Sequence, residues 1–146
     1  MGHWGVRSYE VDEAHDALDA GFAFACGAEY ERLMDDRCPL TLEQVQERLA
    51  SPAVLEAALA AHADGAGTAD EACWDEVQRL AYAGIVVRFV ELKVPIPEEV
   101  RERARRYLEE ESLEWDAATK RRLRRERELG LLEQAEVTGT GRAGGA

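Results

Sequence analysis

Asp12, Glu13, Asp16 and Asp19, with His15 among them, are the densest cluster of groups in this chain that could do chemistry. On a helix, Asp12-x-x-His15 would set a carboxylate and an imidazole on one face, where a metal could sit. A two-metal carboxylate bundle, however, needs two Glu-x-x-His pairs and two further inward glutamates. The chain carries this one half-motif, and His3 and His62 stand alone, so no metal or cofactor is expected. The same acids read better as a helix start, where Asp12, Glu13 and Asp16 complement the positive helix end. They also form a negative cluster able to receive a basic partner. An enzyme holding Asp12, His15 and Asp16 in a cleft is the most distant reading.

Three cysteines, Cys26, Cys38 and Cys73, have no Cys-x-x-Cys spacing, so neither a disulfide framework nor a zinc knuckle is indicated. Cys26 and Cys73 fall on apolar stripes and are expected to be buried, inert thiols. Cys38, in a turn beside Arg37 and Pro39, is the one placed to react. No serine sits in a triad context, and the glycines from Gly139 to Gly145 follow no strand, so they are tail composition rather than a phosphate loop. No catalytic residue is assigned, and the protein is read as non-enzymatic.

Charge narrows the partners. The formal net charge is −12, with 26 acids against 11 bases over residues 1–118 and 4 against 7 over residues 119–146. An acidic body repels phosphate backbones, so nucleic acid is disfavoured and a basic protein surface is the natural match. The exception is the run Lys120 to Glu128, KRRLRRERE, in which Arg121, Arg122, Arg124 and Arg125 could face nucleic acid or another anionic ligand. Glutamates recur within it and aromatics do not. A solvated helix face pairing with acids on neighbouring helices explains it more simply.

The elements that must position these groups are helical. Alanine, leucine, glutamate and arginine dominate, and the expected fold is all-α, a compact bundle of about six helices with no significant sheet. Its centre is residues 68–93, opened by a capping box of Thr68 and Glu71 and apolar on most sides from Ala83 to Leu92. Arg88 in that apolar half needs a carboxylate, for which Asp12, Asp16 or Asp19 is the expected source. Before it, a helix runs from Glu13 to about Asp36, capped by Asp12. Gly21 and Gly27 weaken that helix unless another helix packs closely there. Thr41 with Gln44, and Ser51 with Pro52, start two more helices, and residues 64–67 form a turn. After the extended link at 94–97 come a helix carrying Val100, Ala104, Tyr107 and Leu108 and a last one capped by Asp116. Residues 1–135 make one domain, in which 1–10 is an arm whose Trp4 and Tyr9 rings dock on the helices, and Trp74 has a structural role. Residues 136–146 read as a disordered tail. No apolar run approaches the about 20 residues that a membrane helix needs, and no secretory signal is evident, so a cytoplasmic setting is expected.

The opening residues resemble a known group. Trp4-Gly5, Tyr9-Glu10, Asp12-Glu13-Ala14 and Asp16 are similar to the start of a family of uncharacterised bacterial proteins that begin Met-Gly-x-Trp-Gly and continue with an Asp-Asp/Glu-Ala-x-Asp segment. The resemblance spans about sixteen residues, with Ala17 standing where that family often has an aromatic. It implies a small bacterial domain and no activity. The function expected from the residues is that of an interaction or accessory protein, an inhibitor or a subunit, which binds a protein partner through its acidic surface.

Overall fold

The computed structural model describes residues 7–112 and 118–138. The expectations for Trp4 and the first part of the arm, for the Asp116 cap and for residues 139–146 lie outside them. Among the described residues the fold is all-α, a bundle of α1 (Asp12–Cys26), α2 (Ala28–Leu33), α3 (Leu42–Leu49), α4 (Pro52–Ala66), α5 (Glu76–Glu91), α6 (Glu98–Glu109) and α7 (Ala118–Glu133). None of these helices is long and apolar enough to cross a membrane. Thr41 and Ser51 cap α3 and α4 as expected, each accepting a backbone N–H three residues on.

The single helix expected from Glu13 to Asp36 is broken into α1 and α2 at Gly27, whose φ of 53° and ψ of −121° lie in a region closed to side-chain-bearing residues. Nothing lies within 4 Å of a Cβ placed there, so Gly27 serves the turn rather than a close helix contact. Gly21 does serve a contact. A Cβ there would come within 2.7 Å of the Ala58 main chain, so α1 and α4 pack almost backbone to backbone. Asp12 is not the cap of α1; the extended Val11 holds that position and Asp12 begins the first turn.

The central helix starts later than Thr68. Two capping signatures compete here, Thr68 with Glu71 and Asp75 with Gln78, and the second wins. Asp75 Oδ1 accepts from Gln78 N at 2.8 Å while Gln78 Oε1 accepts from Asp75 N at 2.9 Å. The first fails because α6 recruits Glu71, whose carboxylate accepts from Arg106 Nη2 at 2.6 Å and from the Tyr107 hydroxyl. Residues 71–73 are left as a 3-10 turn, and Cys73, expected to be buried, is exposed. From Leu80 to Val90 every residue of α5 except Arg88 is buried, and the helix touches α1, α4, α6 and α7. Phe89 stacks on Phe22 of α1 at 5.9 Å, and Phe22 on Tyr30 of α2 at 5.7 Å.

Both ends of the described chain are held. A Cβ on Gly84 would lie 2.4 Å from Ser8 O, so the second half of the arm crosses α5 where that helix has no side chain. Ser8 is buried and Tyr9 half-buried, which agrees with the docking expected of Tyr9. At the other end Ile96 N donates to Glu136 O at 2.9 Å, and β1 (Ile96–Pro97) pairs in parallel with β2 (Val137–Thr138). Structure therefore persists past Glu136, where a loose tail was expected to begin. The extended link forced by Pro95 and Pro97 supplies the free backbone edge that residues 136–138 use.

Candidate functional site

Along α1, Glu13, Asp16, Ala20 and Phe24 follow one another at spacings of three and four, so they share a face. That face meets α4 in a cleft of about 360 Å³, floored by Ala17, Ala20, Ala61 and Ala66 and rimmed by Glu13, Asp16 and Asp64. Alanines and the Gly21 to Ala58 approach keep the floor shallow. Among the described residues no lysine or arginine pairs with Asp12, Glu13, Asp16 or Asp64. Asp19 differs from its neighbours: it accepts the Tyr30 hydroxyl at 2.5 Å, tying α1 to α2. Burial, and then the Asp19 hydrogen bond and charge, push the Tyr30 phenol well above its ordinary value. Phe24 continues the same face and is 86% exposed.

His62 forms part of the wall and is only 4% exposed. Its Nε2 lies 2.7 Å from Gln78 O, and since a carbonyl only accepts, Nε2 carries the hydrogen and Nδ1 is the bare acceptor. Nδ1 has no partner among the described residues, and the ring stands edge-on to Trp74 at 4.7 Å. Trp74 is buried and donates Nε1–H to Thr68 O at 2.9 Å. Burial lowers the His62 pKa, outweighing the Gln78 carbonyl and the charge of Glu13, which act the other way. The unfolded chain therefore takes up a proton as pH falls through about 6.5 while the folded one resists, so folding stability drops with pH from there until the folded pKa is reached. In His62→Gln the slope between pH 6.5 and 5.5, at most about 1.4 kcal/mol per pH unit for one proton, should flatten in urea titrations. Equal slopes in the two proteins would show that His62 does not set it.

The arginines of α7 are not one surface patch. Arg121, Arg124, Glu128 and Leu132 recur at three and four residues and form the inward stripe of that helix, while Leu123 is 58% exposed. Arg121 donates to Glu111 at 2.7 Å and to Glu128 Oε1 at 3.1 Å. Arg124 donates Nε to Glu128 Oε2 at 3.1 Å and Nη2 to Glu91 Oε2 at 2.6 Å. Glu128, fully buried, also accepts the Ser8 N–H at 2.9 Å. Arg122 stays exposed, and Arg125 donates Nη1 to Glu111 O at 3.2 Å. Of these bases Arg121 and Arg124 pair with acids as expected, but inside the bundle rather than on a solvated face. A signal existed in the sequence: Arg-x-x-Arg-x-x-x-Glu runs in register with Leu132.

Arg88 takes neither Asp12, Asp16 nor Asp19. It donates Nε to Gln46 Oε1 at 2.7 Å and Nη1 to Glu91 Oε1 at 3.2 Å, because α3 and its own next turn lie closer than the exposed side of α1. Tyr9 completes the network, donating its hydroxyl to Glu91 Oε1 at 2.8 Å with its ring 5.5 Å from the Arg88 guanidinium. Burial, then the hydrogen bond and charge of Glu91, push the Tyr9 phenol up to about 12. Cys26 and Cys38 are half-buried, and burial followed by the Glu29 charge raises the Cys26 thiol. Among the described residues no group of three or more His, Cys, Asp or Glu side chains is placed to hold a metal.

Fold and site together define a small all-α domain with an acidic cleft on one side and a buried ion network on the other. Compared with known proteins, the chain matches no family model, no curated protein and no solved structure.

Proposed function

We propose that the chain is a non-enzymatic protein-binding domain, an accessory or inhibitory subunit, that docks a basic partner on the face shared by α1 and α4. The observation that carries this reading is the rim of Glu13, Asp16 and Asp64, three carboxylates without a cation among the described residues, around an alanine floor. A lysine or arginine of the partner lays its aliphatic stem on Ala17, Ala20 and Ala61 and holds its charge between the carboxylates. Phe24 supplies the aromatic anchor that such interfaces concentrate their binding energy in, and Asp12 at the edge adds to electrostatic steering. A cytoplasmic setting accords with three unbridged thiols. The alternative, a nucleic-acid or other anionic surface along α7 made by Arg121, Arg122, Arg124 and Arg125, is weaker because Arg121 turns inward onto Glu111 and Glu128, and Arg124 gives Nε and Nη2 to Glu128 and Glu91.

The test compares the full chain with the triple variant Glu13→Lys, Asp16→Lys, Asp64→Lys as baits in lysate, after circular dichroism shows both folded. Proteins retained by the parent should elute with added salt and bind the variant at least about 10-fold more weakly, with Phe24→Ala losing a comparable share. Recovery of the same proteins in the same amounts on both baits refutes the assignment.

A further inference from the structure

On the opposite side of α1 a second cleft, of about 600 Å³, opens between the arm, α3, α5 and α7. Its character is the reverse of the first. Four arginines contribute to its wall, Arg7, Arg88, Arg124 and Arg127, against the carboxylates of Glu43 and Glu91, in a chain whose net charge is −12. Glu91 is not available to repel an incoming anion at full strength, because Tyr9, Arg88 and Arg124 all donate to it.

What these donors leave over matters more than what they bind. Arg88 uses Nε and Nη1, and Arg124 uses Nε and Nη2, so Arg88 Nη2 and Arg124 Nη1 have no acceptor among the described residues. Neither is a sealed nitrogen of the kind found at Arg79 Nε and Arg101 Nε. Both guanidinium groups are held rigid by their carboxylate and amide partners, and their side chains are about nine-tenths buried, at 11% and 10% exposure. A fixed guanidinium with a spare terminal N–H is what phosphate recognition requires, since its orientation costs no further side-chain entropy on binding. Arg127, exposed and without an acceptor among the described residues, adds a movable third cation. Leu18 and Leu42 give the cleft an apolar wall, and the volume suits a small organic molecule rather than a bare ion.

We infer that this cleft is a binding site for a small organic phosphate monoester, whose dianionic head takes Arg88, Arg124 and Arg127 and whose carbon skeleton lies against Leu18 and Leu42. The site is separate from the protein-docking face, so either assignment can fail without the other.

The experiment is a titration of the isotope-labelled full chain, followed by amide and arginine Nε–H NMR signals in about 0.15 M salt, with glycerol 3-phosphate, inorganic phosphate and succinate as probes. The expected result is a saturable shift at Tyr9, Gln46, Arg88 and Arg124 with glycerol 3-phosphate at a Kd below about 1 mM. Inorganic phosphate should bind several-fold more weakly and succinate more weakly still. Arg127→Ala, a change at an exposed side chain without a partner among the described residues, leaves the fold intact and should weaken binding about 5-fold, and Arg127→Glu should weaken it further. The inference is overturned if glycerol 3-phosphate gives no saturable shift at these residues. It is equally overturned if succinate or inorganic phosphate binds as tightly, or if both Arg127 variants bind like the parent.

Discussion

Glu128→Ala is expected to destabilise the domain by about 3–5 kcal/mol in urea denaturation, the range for removing one partner of a buried ion pair. The carboxylate is fully buried and accepts from Arg121, Arg124 and the Ser8 N–H. Alanine would leave the Ser8 N–H buried without an acceptor, and a guanidinium charge only partly neutralised, by Glu111 at Arg121 and by Glu91 at Arg124. Glu128→Gln keeps an acceptor for Ser8 but not the charge, so its loss should fall between the parent and Glu128→Ala. A loss under about 1 kcal/mol for Glu128→Ala would mean that water or rearranged side chains replace the carboxylate.

The same network predicts acid sensitivity. Burial pushes Glu91 up, but the hydrogen bonds from Arg124 and Tyr9 and the charges of Arg124 and Arg88 outweigh it, so its net pKa is lowered from 4.5. A carboxyl with a folded pKa below its unfolded one contributes stability that is fully present above the unfolded value and is lost as pH falls through the folded one. Stability should therefore decline below about pH 4.5, and less so in Glu91→Gln once its lower starting stability is allowed for.

Gly84→Ala is the second large effect, about 3 kcal/mol, the upper end of the range for overpacking. The added Cβ would stand 2.4 Å from Ser8 O and 2.7 Å from Tyr9 N, and these are main-chain atoms that cannot rotate aside. The arm must lift or α5 must shift. Lifting the arm also removes the Ser8 N–H from Glu128 and the Tyr9 hydroxyl from Glu91, so the two substitutions act on one structure. Their combined effect should be less than the sum, by more than the about 0.5 kcal/mol within which independent sites add. Amide exchange at Ser8 should accelerate in both single variants. Full additivity, with Ser8 still protected, would show that the arm is not the shared element.

Caps and stripes were legible in the amino-acid order because they depend on residues three and four apart. Thr41 with Gln44, Ser51 with Pro52, and the apolar run from Ala83 announced α3, α4 and the buried half of α5, and they did so without reference to any other segment. The acids of α1 were legible as a cluster for the same reason. The cleft they rim was not, because Asp64 comes from α4, and Gly21 and Ala58 bring the two helices together.

Local order alone thus determined an acidic, all-α chain, the starts of α3 and α4 and the buried half of the central helix. Tertiary structure decided the points at which local signals were degenerate. Glu71 suits a cap as well as an ion pair, and only the approach of α6 assigns it to Arg106 and Tyr107. Arg88 had several equally plausible carboxylates, and the nearness of α3 and of Glu91 selected Gln46 and Glu91. The charged stripe of α7 turns inward because Glu91, Glu111 and Ser8 meet it there; charges of that kind stay in water unless partners from distant parts of the chain arrive together.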